Sequence, residues 1–229
     1  MSLHLYAVCA KRPRALARRR GAVGEPLRAV PAGALVAVVG EVEGPPPLDP
    51  PTLRAHDAVV RALAQSVDAL LPVRFGTIAA DEAQVAAMVA ERRDALAGAL
   101  ELVAGREQMT LRVFGTAPER TAPAPARARG GGAGTRYLTA RRAADRRARA
   151  VPEIAWLRPA LRRFVQAERV ERHRTPPLVA TVHHLIRRGQ APAYLAVIER
   201  AARTARPVRV VASGPAPPWA FTGDADGAP

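Results

Sequence analysis

The segment that most constrains the fold of this chain lies near its middle. Residues 116–134 contain three prolines and the run Gly130-Gly131-Gly132, but few large apolar side chains. A segment of this composition does not bury enough apolar surface to order itself. The chain must therefore build its cores on either side, and we interpret 116–134 as a flexible insertion.

The residues before the insertion contain strand-sized apolar runs, which lie at 3–9, 34–39 and 71–78. Their length and their content of β-branched residues are typical of buried strands. Because successive side chains on a strand point to opposite faces, we expect Leu3, Leu5 and Ala7 to share one face of the first strand. The first two runs are predicted to pair with each other.

Two amphipathic helices are predicted in the same half of the chain. Apolar side chains recur every three or four residues over 52–70, where Thr52 is placed to cap the helix start. The same spacing over 81–105 predicts a single long helix that Asp81 caps and Gly105 ends. Strands alternating with helices indicate a mixed α and β domain.

The second half of the chain begins with a strand at 107–114, whose clean alternation leaves one side for solvent or a partner. Beyond the insertion we predict helices at 137–149 and 157–168, a short strand near Val170, a strand at 178–186, a helix at 191–203 and a last strand at 208–211. This order matches a βαββαβ ferredoxin-like unit. The fold class is therefore predicted as α+β with two domains, 1–105 and a modified ferredoxin-like domain 106–229, which ends in a Pro-aromatic tail at 213–229.

The charge of the chain is large and unevenly distributed. The sequence of 229 residues carries a net charge of +15, and residues 116–229 hold 21 basic but only 8 acidic side chains. The alternative function is therefore an arginine-mediated binder of nucleic acid or another anionic surface through the second half. However, Lys11 is the only lysine, so that much of the basic charge reflects an arginine-rich composition, and we do not expect a nucleic-acid partner.

Location is indicated by what the sequence lacks. Cys9 is the only cysteine, which rules out an internal disulfide and favours a reducing cytoplasm. The N-terminal apolar and basic stretches stand in the reverse order of a secretory signal. No apolar run approaches the roughly 20 residues of a membrane-spanning helix, so we expect no membrane partner.

No combination of residues predicts catalysis, a metal site or a cofactor. His183 and His184 are adjacent on a strand and point to opposite faces, and His56 and Asp57 are adjacent on a helix, where neighbours do not face each other. Ser66 and Ser213 lack the nucleophile-elbow pattern, Cys9 lies in an apolar strand, and the Gly-rich run at 130–134 lacks the ending of a phosphate loop. An exposed helix face and a phosphate site explain equally well the arginines at 141, 142, 146, 147 and 149. A small-molecule enzyme is therefore the least favoured class.

Three ordered segments carry a resemblance to a known family. Residues 71–77, Leu-Pro-Val-Arg-Phe-Gly-Thr, follow an amphipathic helix and precede another. Residues 134–138, Gly-Thr-Arg-Tyr-Leu, follow the insertion, and residues 213–221 read Ser-Gly-Pro-Ala-Pro-Pro-Trp-Ala-Phe. Together they resemble the gas vesicle accessory protein F/L family (GvpF/GvpL), although Ala216 stands where that family usually carries an aromatic residue.

This resemblance implies a cytoplasmic, non-enzymatic protein that acts in gas vesicle assembly. It would bind the small hydrophobic shell subunit, limit its aggregation and aid nucleation, together with other vesicle accessory proteins. The candidate partner-binding residues are Arg74 and Phe75 in the 71–77 segment and Trp219 and Phe221 in the tail, which the prolines hold stiff. An exposed edge at 73–78, or the outward face of 107–114, would supply main-chain pairing.

Overall fold

The computed structural model describes residues 1–14, 16–115, 151–203 and 208–222. The chain divides into two compact units, of which the first comprises 1–108, 185–188 and the chain from Pro215 onward, and the second comprises 109–184 and 189–214. The predicted domain limits, 1–105 and 106–229, stay a prediction. The insertion at 116–134, the helix predicted at 137–149 and the arginines on it lie outside the described residues.

The first unit is built on one antiparallel sheet. Its strands are β1 (Ser2–Cys9), β2 (Leu27–Ala32), β3 (Leu35–Val42), β4 (Leu70–Pro72) and β5 (Ile78–Ala79). Their order is β2-β3-β1-β4, and β5 also pairs with β1. The predicted pairing of the first two apolar runs is confirmed, because β1 and β3 are antiparallel neighbours. Strand β2 was not predicted from the sequence.

Three helices accompany this sheet: α1 (Pro50–Ala64), α2 (Glu82–Glu91) and α3 (Arg93–Val103). The predicted cap at Thr52 is wrong, because the Asp49 carboxylate accepts a hydrogen bond from the Thr52 backbone N–H at 2.7 Å and caps the helix three residues earlier. The two prolines that follow Asp49 fit there, since the first-turn N–H groups have no partner within the helix. The cap at Asp81 is confirmed by its bond from the Gln84 N–H at 2.8 Å.

The predicted single helix over 81–105 is interrupted at Arg92, whose φ of −119° and ψ of 19° are not helical. No glycine or proline marks this break in the sequence. Val85 and Val89 before it, and Leu96 and Leu100 after it, are all buried. Tertiary packing of two separate apolar stripes therefore sets the break.

Strand β1 lies in the middle of the sheet and contains a β-bulge between Leu5 and Ala7. Leu3 and Leu5 pack in one core cluster with Val85 of α2, whereas Tyr6 and Ala7 pack in another with Leu63 of α1. The extra residue of a bulge shifts the alternation of side chains by one. The prediction that Leu3, Leu5 and Ala7 share a face is therefore wrong.

The predicted strand at 71–78 is split into β4 and β5 by a loop at 73–77. Gly76 adopts a φ of +81°, in the left-handed region that a regular strand excludes. Pro72 also lacks the N–H that would continue the ladder. The exposed strand edge expected at 73–78 is therefore absent from the described chain, and a loop takes its place.

The second sheet contains β6 (Arg106–Phe114), β7 (Ala167–Arg172), β8 (Leu178–Arg187) and β9 (Arg209–Ala216), in the order β7-β8-β6-β9. The helices described beside it are the short α4 (Arg158–Leu161) and α5 (Ala191–Ala202). The helix predicted at 157–168 is therefore much shorter, because β7 already begins at Ala167. The last strand extends five residues beyond the predicted end, and Pro215 is tolerated since β9 is an edge strand.

None of the described helices is long and apolar enough to cross a membrane.

The described chain combines helices with antiparallel sheet, which is the α+β class that the sequence predicts.

Candidate functional site

Three of the four predicted partner-binding residues meet at one pocket of the first unit. Arg74 is exposed there, and Phe75 and Trp219 are half-buried. Phe221 is only 1% exposed and does not line the pocket. In this conformation Phe221 therefore anchors the tail in the core, while the other three side chains face the pocket.

The pocket has a volume of about 380 Å³ and mixed apolar and charged walls. Its lining comes from α1, from the end of β4 with the following loop, and from the tail. The lining residues are Leu53, His56, Asp57, Pro72, Arg74, Phe75, Trp219 and Thr222.

The loop at 73–77 is held opposite the bulge of β1 by backbone hydrogen bonds. The Val73 N–H donates to the Tyr6 carbonyl at 2.9 Å, and the Leu5 N–H donates to the Thr77 carbonyl at 2.9 Å. Within the loop, the Thr77 hydroxyl donates to the Arg74 carbonyl at 2.8 Å. These bonds fix the backbone of Arg74 and Phe75, so that both side chains are displayed from an ordered turn.

The tail is fixed by bonds on both sides of its prolines. The Arg61 guanidinium donates to the Pro215 carbonyl at 3.2 Å, and the Ala220 N–H donates to the Gln108 side-chain carbonyl at 2.8 Å. Trp219 begins a 3-10 turn, Trp219–Phe221, in which the Phe221 N–H donates to the Pro218 carbonyl at 2.9 Å. The tail thus forms a wall of the pocket.

The floor of the pocket belongs to a cluster of five rings, in which His56, Phe75 and Trp219 line the pocket and His4 and Tyr6 lie beneath them. His56 stacks on Tyr6 at a centroid distance of 5.0 Å, and Trp219 lies 6.2 Å from His56. Phe75 meets His56 and His4 edge-on, at 5.3 and 5.5 Å. The cluster joins residues far apart in sequence and gives the pocket a rigid, largely apolar base.

A buried polar network lies behind this floor. The Tyr6 hydroxyl donates a hydrogen bond to the Glu25 carboxylate and accepts one from the Ala22 N–H at 2.7 Å. The second carboxylate oxygen accepts from the Val23 N–H at 3.0 Å. A Cβ atom at Gly40 would clash with the Glu25 side chain, so that this glycine makes room for the carboxylate.

Both histidines of the ring cluster are held neutral. Burial and the neighbouring His56 lower the pKa of His4 to about 4, and burial also lowers the pKa of His56. His56 donates from Nε2 to the Val73 carbonyl at 3.2 Å, and His4 accepts at Nε2 from the Gly76 N–H at 3.4 Å. Neither Nδ1 atom has a hydrogen-bond partner.

The described residues contain no group of three or more metal-ligating side chains. His56 and Asp57 do not act as a pair, because Asp57 accepts from Arg61 at 2.6 Å while His56 turns toward Val73. The geometry of the site therefore suits the binding of an apolar group beside a charge.

Sequence reasoning missed His4, Tyr6 and Glu25, which shape the site from below. Tyr6 and His4 lie in an apolar run that reads as plain core, and Glu25 lies in a Gly-Glu-Pro turn that carries no signal of burial. The resemblance rests on residues 71–77, 134–138 and 213–221, so it gives no signal for these three residues either.

His183 and His184 lie outside this pocket, in the second unit. They face opposite sides of β8, as predicted: His184 contacts Tyr194 and Glu168, whereas His183 contacts Thr110 and Glu171. Residues 134–138, which contribute to the resemblance, lie outside the described part of the chain.

Comparison with known structures gives the same fold. The crystal structure of gas vesicle protein GvpF from Microcystis aeruginosa superposes with a TM-score of 0.72 at 16% identity and covers 96% of this chain and 98% of that one. GvpF from Anabaena sp. PCC7120 also has a TM-score of 0.72, at 15% identity, with 96% and 95% covered.

Comparison of sequences gives relatives of both branches. Gas vesicle protein L of Streptomyces sp. (strain CB03234) is 30% identical, with 90% of this chain and 86% of the relative covered. Gas vesicle protein F of the same strain is 28% identical, with 96% and 99% covered. The family described as gas vesicle synthesis protein GvpL/GvpF matches residues 2–223. The chain therefore belongs to the GvpL/GvpF family, and this membership supports an accessory role in gas vesicles.

Proposed function

We propose that this chain is a non-enzymatic gas vesicle assembly factor, or a minor vesicle component, that binds the hydrophobic shell subunit in the cytoplasm. By covering the subunit it limits aggregation and aids nucleation, and other vesicle accessory proteins are further partners. The observation that carries this proposal is the meeting of Arg74, Phe75 and Trp219 at one pocket, although Trp219 is far from the other two in sequence.

The pocket has the properties that such a partner needs. Its base is a rigid ring cluster, so that an apolar side chain entering it loses water without requiring the base to reorganise. Arg74 stands at its wall, exposed, and forms no ion pair with the part of the chain that the structure describes. A partner that presents an apolar residue next to a carboxylate would satisfy both features.

We also propose that the second unit is a modified ferredoxin-like domain. The strand order β7-β8-β6-β9 supports this, because counting strands along the chain gives the order 2-3-1-4. Helix α5 connects the third and fourth strands, as the βαββαβ pattern requires.

Co-expression with the organism's own shell subunit tests the binding proposal. We expect salt-resistant co-purification and a larger soluble fraction of shell subunit with the unaltered chain, since apolar contacts persist when charges are screened. Phe75→Ala and Arg74→Glu should each lower the recovered subunit at least fivefold. Leu48→Ala and Arg12→Glu are matched controls, because both residues are exposed and neither lines the pocket.

Two outcomes would contradict the proposal. If the shell subunit pellets equally with and without this protein, the assembly role has no mechanism. The second outcome is that nucleic acid co-purifies at low salt only and that the Arg12 and Arg74 variants recover equal amounts of it. The chain would then bind anions through its overall positive charge and not through the pocket.

A further inference from the structure

A second concave site lies in the other unit, and the proposed function makes no use of it. It has a volume of about 580 Å³ and carries four polar side chains, Arg158, Arg162, Glu168 and His184, on walls that are otherwise apolar. Pro159 and Val165 are among the apolar lining residues, and no Phe, Tyr or Trp side chain lines the cavity.

A chain of hydrogen bonds runs from the core to the rim of this cavity. The buried Tyr194 hydroxyl donates to His184 Nδ1 at 2.7 Å, and His184 Nε2–H donates to the Glu168 carboxylate at 3.0 Å. The other oxygen of Glu168 accepts from Arg158 at 3.1 Å. Both ring nitrogens of His184 therefore have hydrogen-bond partners inside the unit.

Glu168 stays ionised in this arrangement. Burial on its own would raise the pKa of Glu168, but the hydrogen bond from His184 and the charge of Arg158 outweigh it, and the pKa lies below its ordinary value. An ionised Glu168 fixes Arg158 in place, so that one guanidinium of the cavity is preorganised from inside the unit.

Arg162 stands one helical turn beyond Arg158 and is exposed. It forms no ion pair with a carboxylate of the described residues. Two guanidinium groups four residues apart repel each other, and the single carboxylate of Glu168 neutralises only one of them. The cavity therefore holds an uncompensated positive charge beside an apolar surface.

We propose that this cavity is a docking site for an acidic side chain of a partner protein, with a neighbouring apolar side chain of that partner seated against Pro159 and Val165. The partner's carboxylate lies between Arg158 and Arg162 and accepts hydrogen bonds from both guanidinium groups. A nucleic acid fits less well, because the cavity offers bases no aromatic ring to stack on and carries the carboxylate of Glu168 in its wall.

Titration of the full chain with two short peptides, followed by ¹H–¹⁵N NMR, tests this site. The probes are N-acetyl-Leu-Glu-amide and N-acetyl-Leu-Gln-amide, which differ only in the carboxylate. We expect the Glu peptide to shift the backbone amides of Ala155, Arg162 and Val165 saturably, and the Gln peptide to bind at least tenfold more weakly.

Variants then assign the contact. Arg162→Gln should weaken the Glu peptide at least threefold, since one of the two guanidinium contacts is lost. Arg163→Gln is the matched control, because Arg163 is the next residue but lies over the Phe164 ring at 4.7 Å and does not line the cavity. An unchanged spectrum away from the cavity checks that both variants remain folded.

Three results would overturn the inference: no saturable shift of these amides, equal affinity for the two peptides, or equal effects of the two variants. Inorganic phosphate and a single-stranded DNA 12-mer are added in parallel. If either shifts the same amides more strongly than the Glu peptide, the cavity is a phosphate site and not a peptide site. None of these results bears on shell-subunit binding, which is measured separately by co-purification with first-unit variants.

Discussion

Buried histidines occur at both pockets, but their hydrogen bonding differs. In the second unit His184 is 2% exposed and both of its ring nitrogens have partners, Tyr194 on one side and Glu168 on the other. In the first unit His4 and His56 are equally buried, yet each leaves Nδ1 without a partner. The same side chain is therefore a structural link in one unit and a stacking surface in the other.

This difference shows where each unit gains its rigidity. The cavity of the second unit is fixed by a hydrogen-bond chain, whose loss leaves buried polar groups unsatisfied. The pocket of the first unit is fixed by ring packing and by the Tyr6–Glu25 pair, while the histidines contribute area more than hydrogen bonds. Substitutions that remove hydrogen-bonding groups should thus have unequal effects in the two units.

The largest effect is expected from His184→Ala. This change leaves the Tyr194 hydroxyl and the Glu168 carboxylate without their shared partner and opens a cavity, so the free energy of unfolding should fall by about 3 kcal/mol in urea titrations. His183→Ala, on the same strand but half-buried, should cost about 1 kcal/mol. Equal losses at the two positions would show that the hydrogen-bond chain adds no stability.

A somewhat smaller effect is expected from Tyr6→Phe in the first unit. Without the hydroxyl, the buried Glu25 carboxylate loses a donor and the Ala22 N–H loses its acceptor, which should cost about 2 kcal/mol. Tyr194→Phe is the counterpart, because it leaves His184 Nδ1 unpartnered, the state that His56 already has; it should cost about 1 kcal/mol. Urea unfolding of both variants gives the comparison, and the reverse order of losses would contradict it.

The pH dependence of stability should reveal the neutral His4. The folded chain keeps His4 unprotonated down to a pKa of about 4, whereas an unfolded chain takes up this proton near 6.5. The unfolded state binds more protons in that window, so stability rises with pH and falls by about 2.5 kcal/mol as the pH drops from 6.5 to 4. In a His4→Asn variant the slope of unfolding free energy against pH should be shallower; an unchanged slope would assign the dependence to other groups.

The smallest effect is expected from Asp57→Asn at the rim of the first pocket. The Asp57–Arg61 pair is solvent-exposed on the surface of α1, where such pairs contribute about 0.5 kcal/mol or less. Thermal unfolding should hardly change. A loss above about 1 kcal/mol would mean that this carboxylate supports the pocket structure, as Glu168 does in the second unit.

Much of the fold follows from apolar periodicity in the sequence. The strands β1, β3, β6 and β8 and the helices α1 and α5 were predicted near their observed positions, because each carries an apolar pattern of the right period. Strand β2 was missed because Pro31 and an exposed edge position weaken its pattern. The break at Arg92 has no local signal, since it depends on how two helices pack.

The candidate site could be predicted only in part. The resemblance pointed to Arg74, Phe75 and Trp219, and the structure brings them to one pocket. No spacing rule joins the tail to residues 74 and 75, because their proximity depends on the whole first unit. The bulge in β1 places the 73–77 loop opposite Tyr6, and it could not be predicted because the residues around it are all apolar.

The wall that Trp219 and Thr222 contribute to the first pocket has a consequence for the order of events during synthesis. The sheet and helices of the first unit leave the ribosome early, but their pocket lacks one side until the tail has emerged and Phe221 has entered the core. A nascent chain therefore carries Arg74 and Phe75 without a finished pocket. If this pocket binds the shell subunit as proposed, capture through it requires a chain whose tail has left the ribosome and packed into the first unit.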